Sequence, residues 1–182
     1  MSNILESLGS LLQNKLDNEE RAPLHVGEVM NCWMFLAAIH EANIFTQIAL
    51  NTTSDDELQE MLRDSAKSCE KQTKSMKNFL VNEGIPLPPL TEHKPKSETV
   101  GIPSGVKMTD DEIANGVSLK EVTAILLCTN GMTQAVRDDV GKMFLQFLLE
   151  KVNFNTSLKN MMRKRGWIKV PPYFTPPAMP KK

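Results

Sequence analysis

The chain has 182 residues, 41% of them hydrophobic and 24% charged, with a formal net charge of −1, the profile of one globular domain with enough length for a real core. That balance excludes a global pull toward nucleic acid or an acidic membrane surface, and the longest apolar run, Cys32 to Ile39, is too short to cross a bilayer. Three widely spaced cysteines, Cys32, Cys69 and Cys128, without a CxxC pair or a signal peptide, predict a reducing, cytoplasmic compartment.

Residues 2–16 place Ile4, Leu5, Leu8, Leu11, Leu12 and Leu16 at helical spacing, which predicts a short amphipathic N-terminal helix. Its polar face lacks the basic residues of a membrane-surface helix, so the expected surface under it is the rest of the fold or a second copy.

A first long helix is predicted from about His25 to Leu50, with Val26, Val29, Met30, Trp33, Leu36, Ala37, Ile44 and Ile48 inward. Its middle, CWMFLAAI, is apolar nearly all round and has to be covered on more than one side. The turn Asn51-Thr52-Thr53 ends it. Ser54 and Glu57 then have the spacing of a capping box for a second helix that runs to about Glu83, where Gly84 is the stop. Leu58, Met61, Leu62, Ala66, Cys69, Met76, Phe79 and Leu80 form its inward stripe.

Gly84 to Met108 cannot be a helix, because it carries Pro86, Pro88, Pro89, Pro95 and Pro103 together with three glycines. Some 25 extended residues reach at most roughly 80 Å, whereas a helix of about 28 residues is only some 42 Å long. The segment can therefore span the whole fold, and it predicts an all-α, up-down-down-up four-helix bundle with a long Pro-rich crossover between helices two and three. Thr109 and Glu112 cap the third helix, expected to end at Asn130-Gly131, with Thr133 as N-cap of the fourth. The fourth carries Val136, Val140, Met143, Phe144, Phe147, Leu148, Leu158, Met161 and Met162 inward. Its closing cations, Arg163, Lys164 and Arg165, complement a helix C-terminus; a phosphate or nucleic-acid patch is the sharper alternative, but interleaved aromatics are missing. The extended, Pro-rich C-terminal tail from Gly166 is expected to cover apolar surface, the alternative being a ligand for a proline-recognition domain. Eleven methionines beside few aromatics suit gap filling between helices more than a binding groove.

A bundle of this connectivity is a usual home for paired-metal carboxylate sites, which need Glu-x-x-His on two helices. The residues three before His25, His40 and His93 are Ala22, Ala37 and Leu90, so that pattern is absent. Glu70 and Glu150 are followed three positions on by Thr73 and Asn153. What survives as a candidate metal site is His25 with Glu28, sharing a helix face, which could hold zinc or iron with Glu112 or Asp138; the plainer reading is a solvated helix start. His40 reads as a hydrogen-bonded core histidine and the cysteines as small buried hydrophobes. Walker, GxGxxG, GxSxG and HExxH patterns are all absent.

Several stretches carry a resemblance: Leu24-His25-Val26-Gly27-Glu28-Val29, Leu50-Asn51-Thr52-Thr53, Glu83-Gly84-Ile85-Pro86-Leu87-Pro88 and Thr109-Asp110-Asp111-Glu112-Ile113-Ala114-Asn115. Val136-Arg137-Asp138-Asp139-Val140, Arg163-Lys164-Arg165-Gly166-Trp167 and Val170-Pro171-Pro172-Tyr173 complete the set. The chain resembles the domain-of-unknown-function family 3231 of spore-forming Gram-positive bacteria, related to spore coat protein F. The resemblance implies a ferritin-like bundle and an association with sporulation or the spore coat. Combined with the missing ligand pattern, it leads to the expectation of a non-enzymatic structural or interaction protein without cofactor. That protein would be a homo-oligomer, a dimer, with spore-coat proteins as partners. The alternative is a ferritin-like bundle with a degenerate carboxylate/histidine metal site.

Overall fold

A computed structural model describes residues 22–174, so the helix predicted over 2–16 and the Pro176-Pro177 part of the tail lie outside the described residues. Regular structure among the described residues is four helices: α1 (Val26–Leu50), α2 (Asp56–Asn82), α3 (Asp110–Gln134) and α4 (Asp138–Arg165). α1 packs on α2 and α3, and α4 packs on α3 and α2. Contacts between the ends set the directions. Asp110, at the start of α3, accepts hydrogen bonds from Thr53 Oγ1 (2.6 Å) and Ser54 Oγ (2.9 Å) in the α1–α2 turn. Arg165, at the end of α4, reaches Asp55 at 2.9 Å. α2 and α3 therefore run parallel, α1 and α4 run opposite to both, and the bundle is up-down-down-up.

The ends follow local chemistry. Thr109 and Glu112 form the predicted capping box, Thr109 Oγ1 accepting from Glu112 N and Glu112 accepting from Thr109 N at 2.8 Å. Gly84 and Gly166 both stand at φ 71°, where a side chain would strain the backbone. Ile85 N and Trp167 N bond back to Leu80 O and Met162 O, each at 2.9 Å, closing two Schellman turns.

Two boundaries differ from expectation. Asp55, not Ser54, caps α2, its Oδ1 accepting from Leu58 N at 2.9 Å, because Ser54 is engaged by Asp110. The third helix also does not stop at Asn130-Gly131. It continues to Gln134, and Thr133 lies inside it with Oγ1 bonded to Thr129 O. Gly131 serves packing rather than termination: a Cβ there would sit 2.5 Å from the Phe144 ring. The break is Ala135-Val136-Arg137, and Val136, expected inward, is exposed.

The crossover is an ordered strap laid down α1. His40 Nε2 meets Thr91 O at 2.6 Å, which makes His40 the hydrogen-bonded core histidine expected of it. Gln47 Oε1 accepts from Lys94 N (2.8 Å), Asn51 Nδ2 donates to Pro95 O (2.9 Å) and Ser97 N donates to Asn51 Oδ1 (3.1 Å). Ile85, Leu87 and Leu90 pack into the core on the way.

That core is two apolar clusters. One gathers Phe35, Leu36, Ile39, Met76, Leu80, Val140, Phe144 and Phe147 near the start of α1, with Phe35 stacked on Phe147 at 5.2 Å. The other gathers Leu58, Leu62, Ile113, Val117, Leu158, Met161 and Met162 at the far end. Met76, Met161 and Met162 fill core as expected, while Met30 and Met34 are exposed. The face predicted inward on α1 is partly wrong, since Val26, Met30, Trp33 and Ile48 are exposed and Phe35 and Ile39 are buried instead. A helix apolar nearly all round gives its periodicity no face to choose. The described part of the tail covers less than expected: Trp167 and Ile168 pack on the second cluster, but Val170, Tyr173 and Phe174 are exposed.

Candidate functional site

His25 and Glu28 do come together, with Nε2 and Oε2 3.6 Å apart, but at the backbone's service. His25 is the N-cap of α1. Its Nδ1 accepts from Gly27 N (3.0 Å) and Glu28 N (3.3 Å), and Nε2 then carries the proton and donates to Gln134 O at 3.3 Å. No ring lone pair is left for a metal. Glu28 is buried, and both of its oxygens are taken: Oε2 accepts from His25 N (3.1 Å), and Oε1 from Val136 N and Arg137 N (2.8 Å each). Burial pushes its carboxyl pKa up, but the backbone N–H groups of Arg137, His25 and Val136 outweigh that and hold it below the ordinary value. Glu112 caps α3 at the opposite end of the bundle, a helix length of roughly 37 Å away. Asp138 stands exposed in the first turn of α4. The predicted pair is thus a clasp that ties the start of α1 to the α3–α4 turn.

Arg137 completes that clasp. Its guanidinium forks onto Glu83 (2.8 and 2.9 Å) and onto Asp139 (2.6 and 3.0 Å), and these carboxylates hold its pKa well above the usual range. One buried residue joins the end of α2 to the start of α4.

The more unusual chemistry lies between the two apolar clusters. Asn43, Glu121, Lys151 and Asn155 are buried there, and Gln72 is buried just inside the first cluster, between Cys69 and Met76, so that all four helices contribute. Counted from the helix ends, Gln72, Glu121 and Lys151 fall within roughly 8 Å of one another along the bundle axis. Lys151 Nζ donates to Glu121 Oε1 at 3.4 Å and to Cys69 Sγ at 3.5 Å. Burial opposes the ammonium, but the Cys69 sulfur and the Glu121 carboxylate hold the Lys151 pKa above its ordinary value. Burial raises the Glu121 carboxyl, and Lys151 offsets only part of that. It also raises the Cys69 thiol, so Cys69 offers the ammonium an acceptor rather than a countercharge. Cys32 and Cys128 are buried thiols pushed up to about 12, in keeping with inert core packing. Asn43 Oδ1, Gln72 Oε1, Glu121 Oε2 and Asn155 Oδ1 have no hydrogen-bond partner among the described residues.

This layer sits where bundle metal centres are built, and its donors do not fit one. It offers one carboxylate, amides and a protonated thiol around a fixed ammonium, which repels a second cation at that range. Among the described residues, no three His, Cys, Asp or Glu side chains converge as ligands. The layer was missed in the sequence because it shows as a gap. In α4 the apolar stripe breaks between Leu148 and Leu158, where Lys151 and Asn155 continue the same face. Gln72 breaks α2 between Cys69 and Met76, and Glu121 breaks α3 between Val117 and Ala124 in the same way.

Comparisons agree with this architecture. The family model described as "Protein of unknown function (DUF3231)" matches residues 13–179. The uncharacterized protein YvdQ of Bacillus subtilis (strain 168) is 28% identical over 155 residues, covering 85% of this chain and 91% of its own. The crystal structure of a candidate spore coat protein from Bacillus halodurans C-125 superposes with a TM-score of 0.82 at 26% identity, over 85% of this chain and 98% of that one. A two-domain protein of Anabaena variabilis ATCC 29413, with DJ-1/ThiJ/PfpI-like and ferritin-like domains, matches with a TM-score of 0.65 at 15% identity. It covers 96% of this chain and 52% of that one, a likeness of fold alone.

Proposed function

The chain belongs to the DUF3231 family, and we propose that it is a non-enzymatic structural or interaction protein of the spore-associated, cytoplasmic kind. The observation that carries this reading is Lys151: an ammonium stands at the centre of the bundle, in the place a metal centre would need. The likeness to the candidate spore coat protein of Bacillus halodurans supports the association with the spore. No helix among the described residues is long and apolar enough to cross a membrane. Protein purified from medium supplemented with iron, manganese and zinc is expected to carry well below one metal ion per chain by elemental analysis. A tagged copy expressed in a spore-former is expected to fractionate with spores. Stoichiometric metal would sink the non-enzymatic reading in favour of the degenerate metal site, and recovery only from vegetative cytosol would remove the spore.

The same reading makes the chain a homodimer through the outer face of α1. Val26, Val29, Met30 and Trp33 line a shallow, almost purely apolar hollow of about 310 Å³, and Val26, Met30 and Trp33 are exposed around it. A two-fold axis would seat the Met30 and Trp33 side chains of each copy on the other's hollow. Sedimentation velocity is expected to give a dimer for the full chain and a monomer for Trp33→Glu. A monomeric wild type would discard self-association and assign the face to residues 2–16, whose apolar stripe ends ten residues before Val26.

A further inference from the structure

The strap does more than cross the bundle. Between it and the first half of α2 lies a groove of about 480 Å³, within the roughly 300–1,000 Å³ usual for small-molecule sites. Two walls of positive charge face into it. On the strap, the amides of Gln47 and Asn51 fix the backbone at Lys94, Pro95 and Ser97 against α1. In extended chain, residues two apart point to one side. Lys94 and Lys96 are such a pair, and both line the groove. On α2, Arg63 and Lys67 are four residues apart on one helix face and line the opposite wall.

These cations are poorly neutralised. Arg63 donates to the neutral Gln59 Oε1. Lys67 has an exposed, 3.4 Å pairing with Asp64. Neither Lys94 nor Lys96 has a carboxylate partner among the described residues, and Glu70 is the one acidic side chain lining the groove. Leu50 and Ala66 give the floor an apolar patch. A solvated lysine face would not need its backbone pinned from beneath by two amides, nor a second cationic wall across a cavity.

We propose that this groove binds a small organic anion carrying two or more phosphate or carboxylate groups, clamped between Lys94 and Lys96 on the strap and Arg63 and Lys67 on α2. Isothermal titration of the full chain with inorganic pyrophosphate, and separately with citrate, tests this at an ionic strength of about 0.15 M, where the Debye length is about 8 Å. Saturable binding of at least one anion is expected, at one site per chain. Lys94→Glu with Lys96→Glu is expected to weaken it by roughly tenfold or more, the usual scale for losing hydrogen bonds to a charged group. Gln47→Ala with Asn51→Ala keeps all four cations but frees the strap, and it is expected to weaken binding as well. Lys74→Glu with Lys77→Glu makes the same charge change elsewhere on α2 and is expected to stay within about twofold, since exposed charges are screened within a Debye length. A preference for pyrophosphate or for citrate assigns a phosphate- or carboxylate-bearing ligand. The proposal is overturned if neither anion saturates. It also fails if the Lys74/Lys77 pair matters as much as the strap lysines, or if freeing the strap changes nothing.

Discussion

Replacing Glu121 by leucine is expected to cost about 3–5 kcal/mol of folding stability, the usual penalty for leaving a buried charge without its partner. Lys151 is only 3% exposed as a side chain and Glu121 5%, so solvent cannot take over the role of the carboxylate. Cys69, the other group the ammonium meets, is a thiol and gives it no countercharge. For a chain of this size the loss lowers Tm by roughly 10 °C, and urea unfolding measures it directly. The double variant Lys151→Met with Glu121→Leu is expected to return to within about 1 kcal/mol of wild type or exceed it, because replacing a whole buried pair by apolar side chains removes the desolvation cost of both ions. The coupling between the two single changes is the informative quantity. A Glu121→Leu loss below about 1 kcal/mol would mean that Lys151 swings its ammonium out to water, and the buried pair would not describe the molecule in solution.

Glu28→Ala is expected to cost about 3 kcal/mol or more, because three backbone N–H groups lose their acceptor at once, and each unsatisfied buried donor costs roughly 1–3 kcal/mol. The N–H of Arg137 is fully enclosed, and the same change breaks the capping box of α1. Glu28→Gln is the milder variant. Its amide oxygen can still accept from Val136 and Arg137, but its NH₂ faces the His25 N–H, donor against donor. The pH dependence has a definite sign. The folded-state pKa of Glu28 is lowered from 4.5, so its contribution is complete above the unfolded value and is lost as pH falls through the folded one. Asp55, lowered chiefly by Arg165, and Asp110, lowered by Thr53 and Ser54 against burial, act in the same direction. Acid unfolding monitored by circular dichroism should therefore steepen below about pH 4.5, and Glu28→Gln should have a shallower slope there. An identical slope in the two proteins would refute the clasp as a source of acid sensitivity.

The His25–Glu28 pair shows how a site can be half legible. Its spacing was readable as one helix face, and the two side chains do meet. What they do there was not readable, because the groups that consume Glu28 are the N–H of Val136 and Arg137, more than a hundred residues away in the chain. Glu112 as a helper failed for a reason available from topology: in an up-down-down-up bundle the third helix starts at the end opposite to the first. Lys151 was the larger omission. A lysine on an apolar stripe is normally solvated, and only the polar breaks that α2 and α3 bring to a similar height mark it as buried.

By itself the sequence determined what neighbours in the chain decide. The helix starts at Val26 and Asp110, the stops at Gly84 and Gly166, and the crossover long enough to return the chain so that α3 runs parallel to α2 all follow from capping, φ and chain reach. The tertiary structure alone decided which side of α1 is core, since that helix is apolar nearly all round and only α2, α3, α4 and the strap choose among its faces. It also decided that Gly131 is a seat for Phe144 rather than a stop. It set a lysine and a glutamate 30 residues apart in the chain, on different helices, as the pair at the bundle centre. Burial and charge pairing depend on what the other helices bring to the same depth, and no local pattern carries that information.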